Sequence, residues 1–380
     1  MSGIRKLCVR LLEIAVSLVL LEVCSFFALH QLERIREGMV VDLFIESHFA
    51  ADMEAYRREF VAKRYDPLLG WHNKPNTRHA QVNIAGRPWI SHIDADGARA
   101  DGHPHAVVGV ATYGDSMTFC SEVDDDQTWQ YYLEERLGQD VKNFGVVSYG
   151  SAQALLKFQR DVAAGRVAPV TILVIFEENI NRVVNAFRPF YGPKSGVRLG
   201  FKPSLRLEGD RVVLRENPFR HPDLSVESLK QVAYETSEWD YWSSRKARLA
   251  FPYALQLIKA TYYLFDQKWS DLWEKREGLA VMEFIVREFA DASRRADSRP
   301  VLLFIPTSET LESGGPARYA PFAQRMRGAI PDLLVIDVLE ASFERARFNV
   351  LPFAGHASAY GNRVIADLLY AKLETRSAGR

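Results

Sequence analysis

Ser116 stands in Val110-Ala-Thr-Tyr-Gly114-Asp-Ser-Met-Thr118, directly behind an apolar run. A serine hydroxyl attacks poorly until a base takes its proton, and attack on an acyl carbon also needs donors for the oxyanion that develops. The chain offers a candidate for each part. His356, in Gly355-His-Ala-Ser358, is the sole histidine after His221 and precedes an amphipathic stretch at 363–373. The run Asn143-Phe-Gly145-Val-Val-Ser148-Tyr-Gly150 carries glycines that let backbone N–H groups point outward, and Glu177-Glu-Asn179-Ile-Asn-Arg182 supplies an amide side chain. Together these residues could form and resolve a serine ester. Each also has a plainer reading: Ser116 as a turn residue, Asn179 as a helix cap, Ser148 as an ordinary loop position, His356 as a cap or surface group. Asp115 is expected to tie down the turn by accepting backbone N–H bonds.

These residues must be set by elements that bring them to one place. Short apolar runs predict strands at 106–112, 141–146, 170–176, 300–306 and 333–338, with helices between them, clearest at 126–137 and 151–164. The alternation predicts a mostly parallel five-stranded sheet covered on both faces. In such sheets reactive groups gather at the carboxyl ends of the strands, where Ser116, Ser148 and Asn179 all fall. Asp124, Asp125 and Asp126 are expected to cap the first helix. An insertion at about 185–298 opens on a hairpin around Glu208-Gly-Asp210 and continues as helices at 244–269 and 274–296. It holds Trp239, Trp242, Trp269 and Trp273, which either pack a small core of their own or form a lid facing sugars or a membrane surface.

Residues 11–29 form an apolar stretch interrupted by Glu13 and Glu22, about long enough to cross a bilayer as a helix. Arg5, Lys6 and Arg10 precede it, so the positive-inside rule places the N-terminus in the cytoplasm and the rest outside. The two glutamates stand against this reading, since a carboxylate in hydrocarbon is expensive. A cleaved signal or an amphipathic soluble helix are the rivals; no small-x-small cleavage site follows Phe27. Residues 31–62 are expected to continue as a stalk helix, and 63–105, broken by prolines and glycines, as short strands and turns.

The 48 basic and 48 acidic side chains balance, which gives no field for nucleic acid. Of three cysteines, Cys8 and Cys24 lie in or beside the apolar stretch and Cys120 stands alone, so no intramolecular disulfide is expected in the remainder. No phosphate-binding Gly-x-x-x-x-Gly-Lys, no Gly-x-Gly-x-x-Gly and no zinc-ligand spacing occurs, and His103-Pro-His105 is an isolated pair. Neither a cofactor nor a metal is implied.

The order Gly-Asp-Ser, Asn-x-Gly, Asn, then His before a final helix resembles the SGNH (GDSL-type) hydrolase superfamily, over roughly 106–375. Leu69-Gly-Trp71-His-Asn-Lys-Pro-Asn76 and Asp96-Gly-Ala-Arg99 resemble segments of its membrane-anchored bacterial members. The resemblance implies a flavodoxin-like three-layer α/β/α fold with Ser116 as nucleophile and His356 as base. It implies an oxyanion hole made of the Ser116 N–H, the Ser148 N–H at a position where the family has glycine, and the Asn179 amide. The family's acid stands three residues before the histidine, where this chain has Phe353, so either a backbone carbonyl orients the ring or a carboxylate arrives from elsewhere, with Asp337, Glu340 or one from the insertion as candidates. The expected protein is a single-pass inner-membrane esterase with its catalytic domain in the periplasm or outside. It would remove acyl groups, O-acetyl above all, from an envelope or exported glycan, in the company of membrane-bound polysaccharide machinery. An O-acyltransferase using the same serine, and a catalytically decayed glycan-binding or assembly protein, are the alternatives.

Overall fold

The computed structural model describes the chain except residues 1, 51, 101, 103–106, 195, 267–271 and 378–380. His103, His105 and Trp269 thus lie outside the described residues. The chain divides into two compact units interleaved along the sequence, one of Met1–Val61, Asn185–Phe201 and Pro218–Lys268, the other of Ala62–Val184, Lys202–Asn217 and Trp269–Arg380.

The first unit is helical. It opens on the helix Ser2–Ile35, which is long and apolar enough to cross a membrane. The expected stalk at 31–62 is not one helix but ends at Ile35 and resumes as Val41–His48 and Met53–Lys63. Gly38 takes a left-handed backbone (φ +84) in the turn that follows Ile35. The Glu33 carboxylate accepts the N–H groups of Gly38 at 2.6 Å and Val40 at 2.7 Å and fixes the corner. Two helices from the insertion, Val226–Ser237 and Tyr253–Asp266, belong to this unit. Its interior is built from phenylalanines: Phe187 stacks on Phe201 with ring centroids 4.2 Å apart, and Phe44, Phe190 and Phe219 are fully buried nearby in the same unit.

The second unit carries the α/β architecture. Strands β1 (Val108–Gly114), β2 (Asp140–Gly145), β3 (Val170–Phe176), β4 (Arg299–Ile305) and β5 (Leu334–Asp337) form one parallel sheet in the order β5-β4-β3-β1-β2. Valine and isoleucine runs such as Val170-Thr-Ile-Leu-Val-Ile-Phe176 suit strands covered on both faces. Val110, Ile172, Val174, Leu303 and Ile336 pack with Leu133 and Leu369 into the main core. Helices Trp129–Leu137, Ser151–Ala163, Arg276–Arg295 and Ala359–Ser377 flank the sheet. The helix expected from Asp126 starts at Trp129, with Thr128 as its cap, and Asp124 and Asp125 turn instead to the hairpin Thr77–Val82/Pro88–Ile93 and to Arg99. Asp124 accepts from the Ile90 N–H at 2.8 Å, and Asp125 binds the His92 ring and the Arg99 guanidinium, each at 2.7 Å.

Trp242 in the first unit and Trp273 in the second are buried, and Trp273 Nε1 donates to the Glu177 carbonyl at 3.0 Å. These two rings are packing groups and not an exposed lid.

Candidate active site

β1 ends at Gly114, and the next residue, Asp115, caps the short helix Ser116–Phe119 by accepting the Met117 N–H at 2.9 Å. Glycine is required at the strand end by crowding: a Cβ on Gly114 would stand 2.0 Å from the Thr118 hydroxyl. On the adjacent strand a Cβ on Gly145 would lie 2.2 Å from the Phe119 backbone nitrogen. The turn therefore sits directly on the sheet, and Ser116 is held with 7% of its surface exposed.

His356 Nε2 lies 2.9 Å from Ser116 Oγ. The histidine arrives on the second arm of a hairpin, Asn349–Leu351/Ala354–Ala357, just ahead of the last helix. Its Nδ1 faces Glu122 Oε2 at 2.7 Å, and its backbone N–H donates to the same oxygen at 2.7 Å. The other carboxylate oxygen of Glu122 accepts the Ile84 N–H at 2.7 Å. Serine, histidine and carboxylate thus form a continuous hydrogen-bonded line, the arrangement of a catalytic triad.

The carboxylate is the residue that sequence reasoning missed. Asp337 does not face the histidine; it accepts from the Tyr319 hydroxyl at 2.7 Å and the Leu339 N–H at 2.9 Å. Glu340 pairs with Arg327 and Lys372. Neither is the acid partner expected of it, because β5 leads both to cationic and phenolic partners at the far edge of the sheet. Phe353, at the position where the family has its acid, takes a left-handed backbone (φ +54) at the hairpin tip and packs against the main core.

Partial burial works against ionisation of Glu122, but its bonds from the His356 ring, the His356 N–H and the Ile84 N–H outweigh it. The carboxyl is pulled from its ordinary 4.5 to about 2. It is an anion wherever the base would be active. The close approach depends on Gly355 (φ +81), whose Cβ would stand 2.9 Å from Glu122 Oε2.

The loop bearing Glu122 is itself contorted, with Cys120 at φ +59 and Glu122 at φ +75. Buried Arg99 holds it. Its guanidinium donates to the carbonyls of Phe119 at 2.8 Å, Cys120 at 2.6 Å and Val123 at 2.6 Å, with Nε on Asp125. The face of that guanidinium lies 5.0 Å from the Phe119 ring centroid.

Ser148 and Asn179 follow β2 and β3, the strands that flank β1, so both stand at the edge where Ser116 lies. Ser148 adopts φ +69, a conformation that glycine takes more readily. Asn179 is 1% exposed, and neither its amide nitrogen nor its amide oxygen has a hydrogen-bond partner. A buried primary amide left unsatisfied is costly and rare. Its neighbour Glu177 is structural, accepting from Thr307, Thr310 and the Arg318 N–H. Arg182 joins the blocks by donating to Asp115 at 3.1 Å, to the Tyr149 carbonyl at 2.9 Å and to Glu178 at 3.2 Å.

A cavity of about 530 Å3 opens beside the acid, bordered by Arg87, Trp89, Glu122, Arg347 and Tyr360 but not by Ser116.

Among proteins of known structure, this chain is similar to one from Desulfitobacterium hafniense DCB-2 assigned provisionally to the G-D-S-L family of lipolytic proteins. The match has 10% identity and a TM-score of 0.34, and covers 70% of this chain and 99% of that one. At that level it adds nothing to the geometry above. No family model and no curated protein matches the chain.

Proposed function

We propose that the second unit is a serine hydrolase acting on carboxylic esters through Ser116, His356 and Glu122. The observation that carries this reading is the unbroken line from Ser116 Oγ to His356 Nε2 at 2.9 Å and from His356 Nδ1 to Glu122 at 2.7 Å. Ser116 Oγ attacks the acyl carbon while its proton passes to His356 Nε2. Glu122 holds the ring in the tautomer with Nδ1 protonated and stabilises the imidazolium that forms. The oxyanion is met by the N–H groups of Ser116 and Ser148 and by the Asn179 amide, which supports this role by having no other partner. His356 returns the proton to the departing alcohol, and the acyl group stays on Ser116 as an ester. A water, deprotonated by the same ring, attacks that ester; the bond from the acyl carbon to Ser116 Oγ breaks, His356 returns the proton to Oγ, and the carboxylic acid leaves.

The substrate reading is an O-acyl, above all O-acetyl, group on an envelope or exported glycan. What supports the envelope location in this reading is the helix Ser2–Ile35, long and apolar enough to cross a membrane, with Arg5, Lys6 and Arg10 ahead of its apolar stretch 11–29. Glu122 supplies the carboxylate that Phe353 does not, which takes away the reason for reading the site as decayed.

A fluorophosphonate probe tests the site on the full chain. Wild type should label, Ser116→Ala should not, and His356→Ala should label at least about 100-fold more slowly. Wild-type chain that folds but stays unlabelled would refute the proposal. With an acetylated sugar as substrate, an acceptor sugar that captures the acyl group faster than water does would turn the reading from hydrolase to transferase.

A further inference from the structure

A second apolar surface accompanies the N-terminal helix. The helix Tyr253–Asp266 packs Tyr253, Leu257 and Ala260 against Leu29 and Leu32 of the helix Ser2–Ile35. At about 100° per residue, Leu255, Ile258, Tyr262 and Phe265 fall within an arc of about 80° on the opposite face. They are 60%, 65%, 67% and 82% exposed, and Phe251, just before the helix, is 73% exposed. A surface helix in water has one apolar stripe. This one has two, and only one of them meets protein.

The position of that stripe identifies what covers the other. Val23 and Phe27 of the N-terminal helix are also exposed, so its bare apolar surface runs to the point where the two helices meet. Phe26 and Tyr253 touch there edge to face, with ring centroids 5.1 Å apart. The Glu22 carboxylate accepts the N–H of Tyr253 at 2.5 Å and of Ala254 at 3.4 Å, capping the first turn of the second helix. Glu22 lies seven residues inside the apolar stretch 11–29, about 10 Å along a helix. The same contact accounts for an acidic residue inside that stretch. Where the N-terminal helix ends, Arg34, Arg36, Arg188 and Lys194 surround a cavity of about 510 Å3, with Glu37 among them. This is the level at which anionic headgroups would lie.

We propose that the helix Tyr253–Asp266 is a second membrane element, sunk beside the first in the hydrocarbon of the leaflet remote from the N-terminus. Phe251, Leu255, Ile258, Tyr262 and Phe265 face acyl chains. The proposal rests on reading Ser2–Ile35 as the membrane span.

The test uses the full chain with Cys8→Ser and Cys24→Ser, reconstituted in phosphatidylcholine and phosphatidylglycerol vesicles. Nitroxide labels are placed singly by Leu255→Cys, Ile258→Cys and Phe265→Cys. Leu20→Cys reports the first helix, and Val213→Cys, on the exposed hairpin of the other unit, reports water. All five positions are exposed, so the label disturbs no packing. Collisional relaxation by oxygen should exceed that by a water-soluble nickel complex several-fold at positions 255, 258 and 265, with the greatest depth at 255 and the reverse preference at 213. Nickel preference at all three with oxygen preference at 20 would overturn the proposal alone. Nickel preference at 20 as well would overturn the membrane reading on which it stands. Spin–spin broadening at 255–265 that vanishes on dilution with unlabelled chain would show a second copy on the stripe and also overturn it.

Discussion

The two ends of the triad are built in different ways. Ser116 is fixed by the sheet: two glycines allow helix Ser116–Phe119 to rest on β1 and β2, and a local aspartate caps it. Glu122 lies six residues further along, on a loop with two left-handed residues, and is fixed from outside the sheet by Arg99, Ile84 and the His356 backbone. A nucleophile held by short-range geometry is written into a short motif. A carboxylate held by partners up to 234 positions away in sequence is not. The same contrast predicts how each end fails: the serine end by crowding, the acid end by loss of a distant contact.

The most severe break of the acid end is Glu122→Gln, which leaves shape intact but favours the wrong histidine tautomer. The rate with an activated ester should fall by about 10²–10⁴-fold with little change in KM. A fall of less than threefold would mean that Glu122 does not serve the histidine. Arg99→Lys comes next, since a single ammonium cannot serve three carbonyls and a carboxylate. It should slow turnover by about tenfold and lower stability by about 2–3 kcal/mol. Combined with Glu122→Gln it should cost little further rate, because both act on one histidine. Independent, multiplying losses in that double variant would show that Arg99 acts by another route.

The smallest effect is on acid stability. The Glu122 carboxyl is held at about 2 in the folded chain against an ordinary 4.5. Its stabilisation is therefore complete above pH 4.5 and drains away as pH falls toward 2. With allowance for solvent contact it amounts to about 1–2 kcal/mol. Urea midpoints of wild type and Glu122→Gln should differ at pH 6 and converge near pH 2. A constant gap would mean that the carboxylate is not selectively stabilised by folding.

What the sequence made legible follows the same division. β3 lies at 170–176 as the apolar run predicts, the strand expected at 300–306 lies one residue earlier at Arg299–Ile305, and the one expected at 333–338 is one residue shorter at each end; all three are legible because buried parallel strands are nearly continuous apolar runs. Ser116 and His356 could be picked out as a motif serine and the sole late histidine, and the fold brings them together. Glu122 is one of 48 acidic residues, and its single local signal is closeness to the nucleophile in a segment with no helical or strand pattern. Asp124 and Asp125 carry local cap chemistry, whereas their partners are Ile90 and His92 of the hairpin 77–93 and, for Asp125, Arg99 beyond it. The division of the insertion between two units was equally hidden, since it depends on residues 185–201 and 218–268 packing with the first sixty.

One consequence of Glu122 coming from the nucleophile's own segment concerns repair. Ser116 and Glu122 are each anchored without the imidazole ring, and the residue-356 N–H that holds the carboxylate belongs to the backbone. In His356→Gly the ring would leave a slot with an acceptor on one side and a hydroxyl on the other, both already in place. Free imidazole added to that variant should restore probe labelling at Ser116 in a saturable way. A flat response would mean that the ring organises its partners as much as they orient it. The histidine is the one member of this triad that a diffusible molecule could replace.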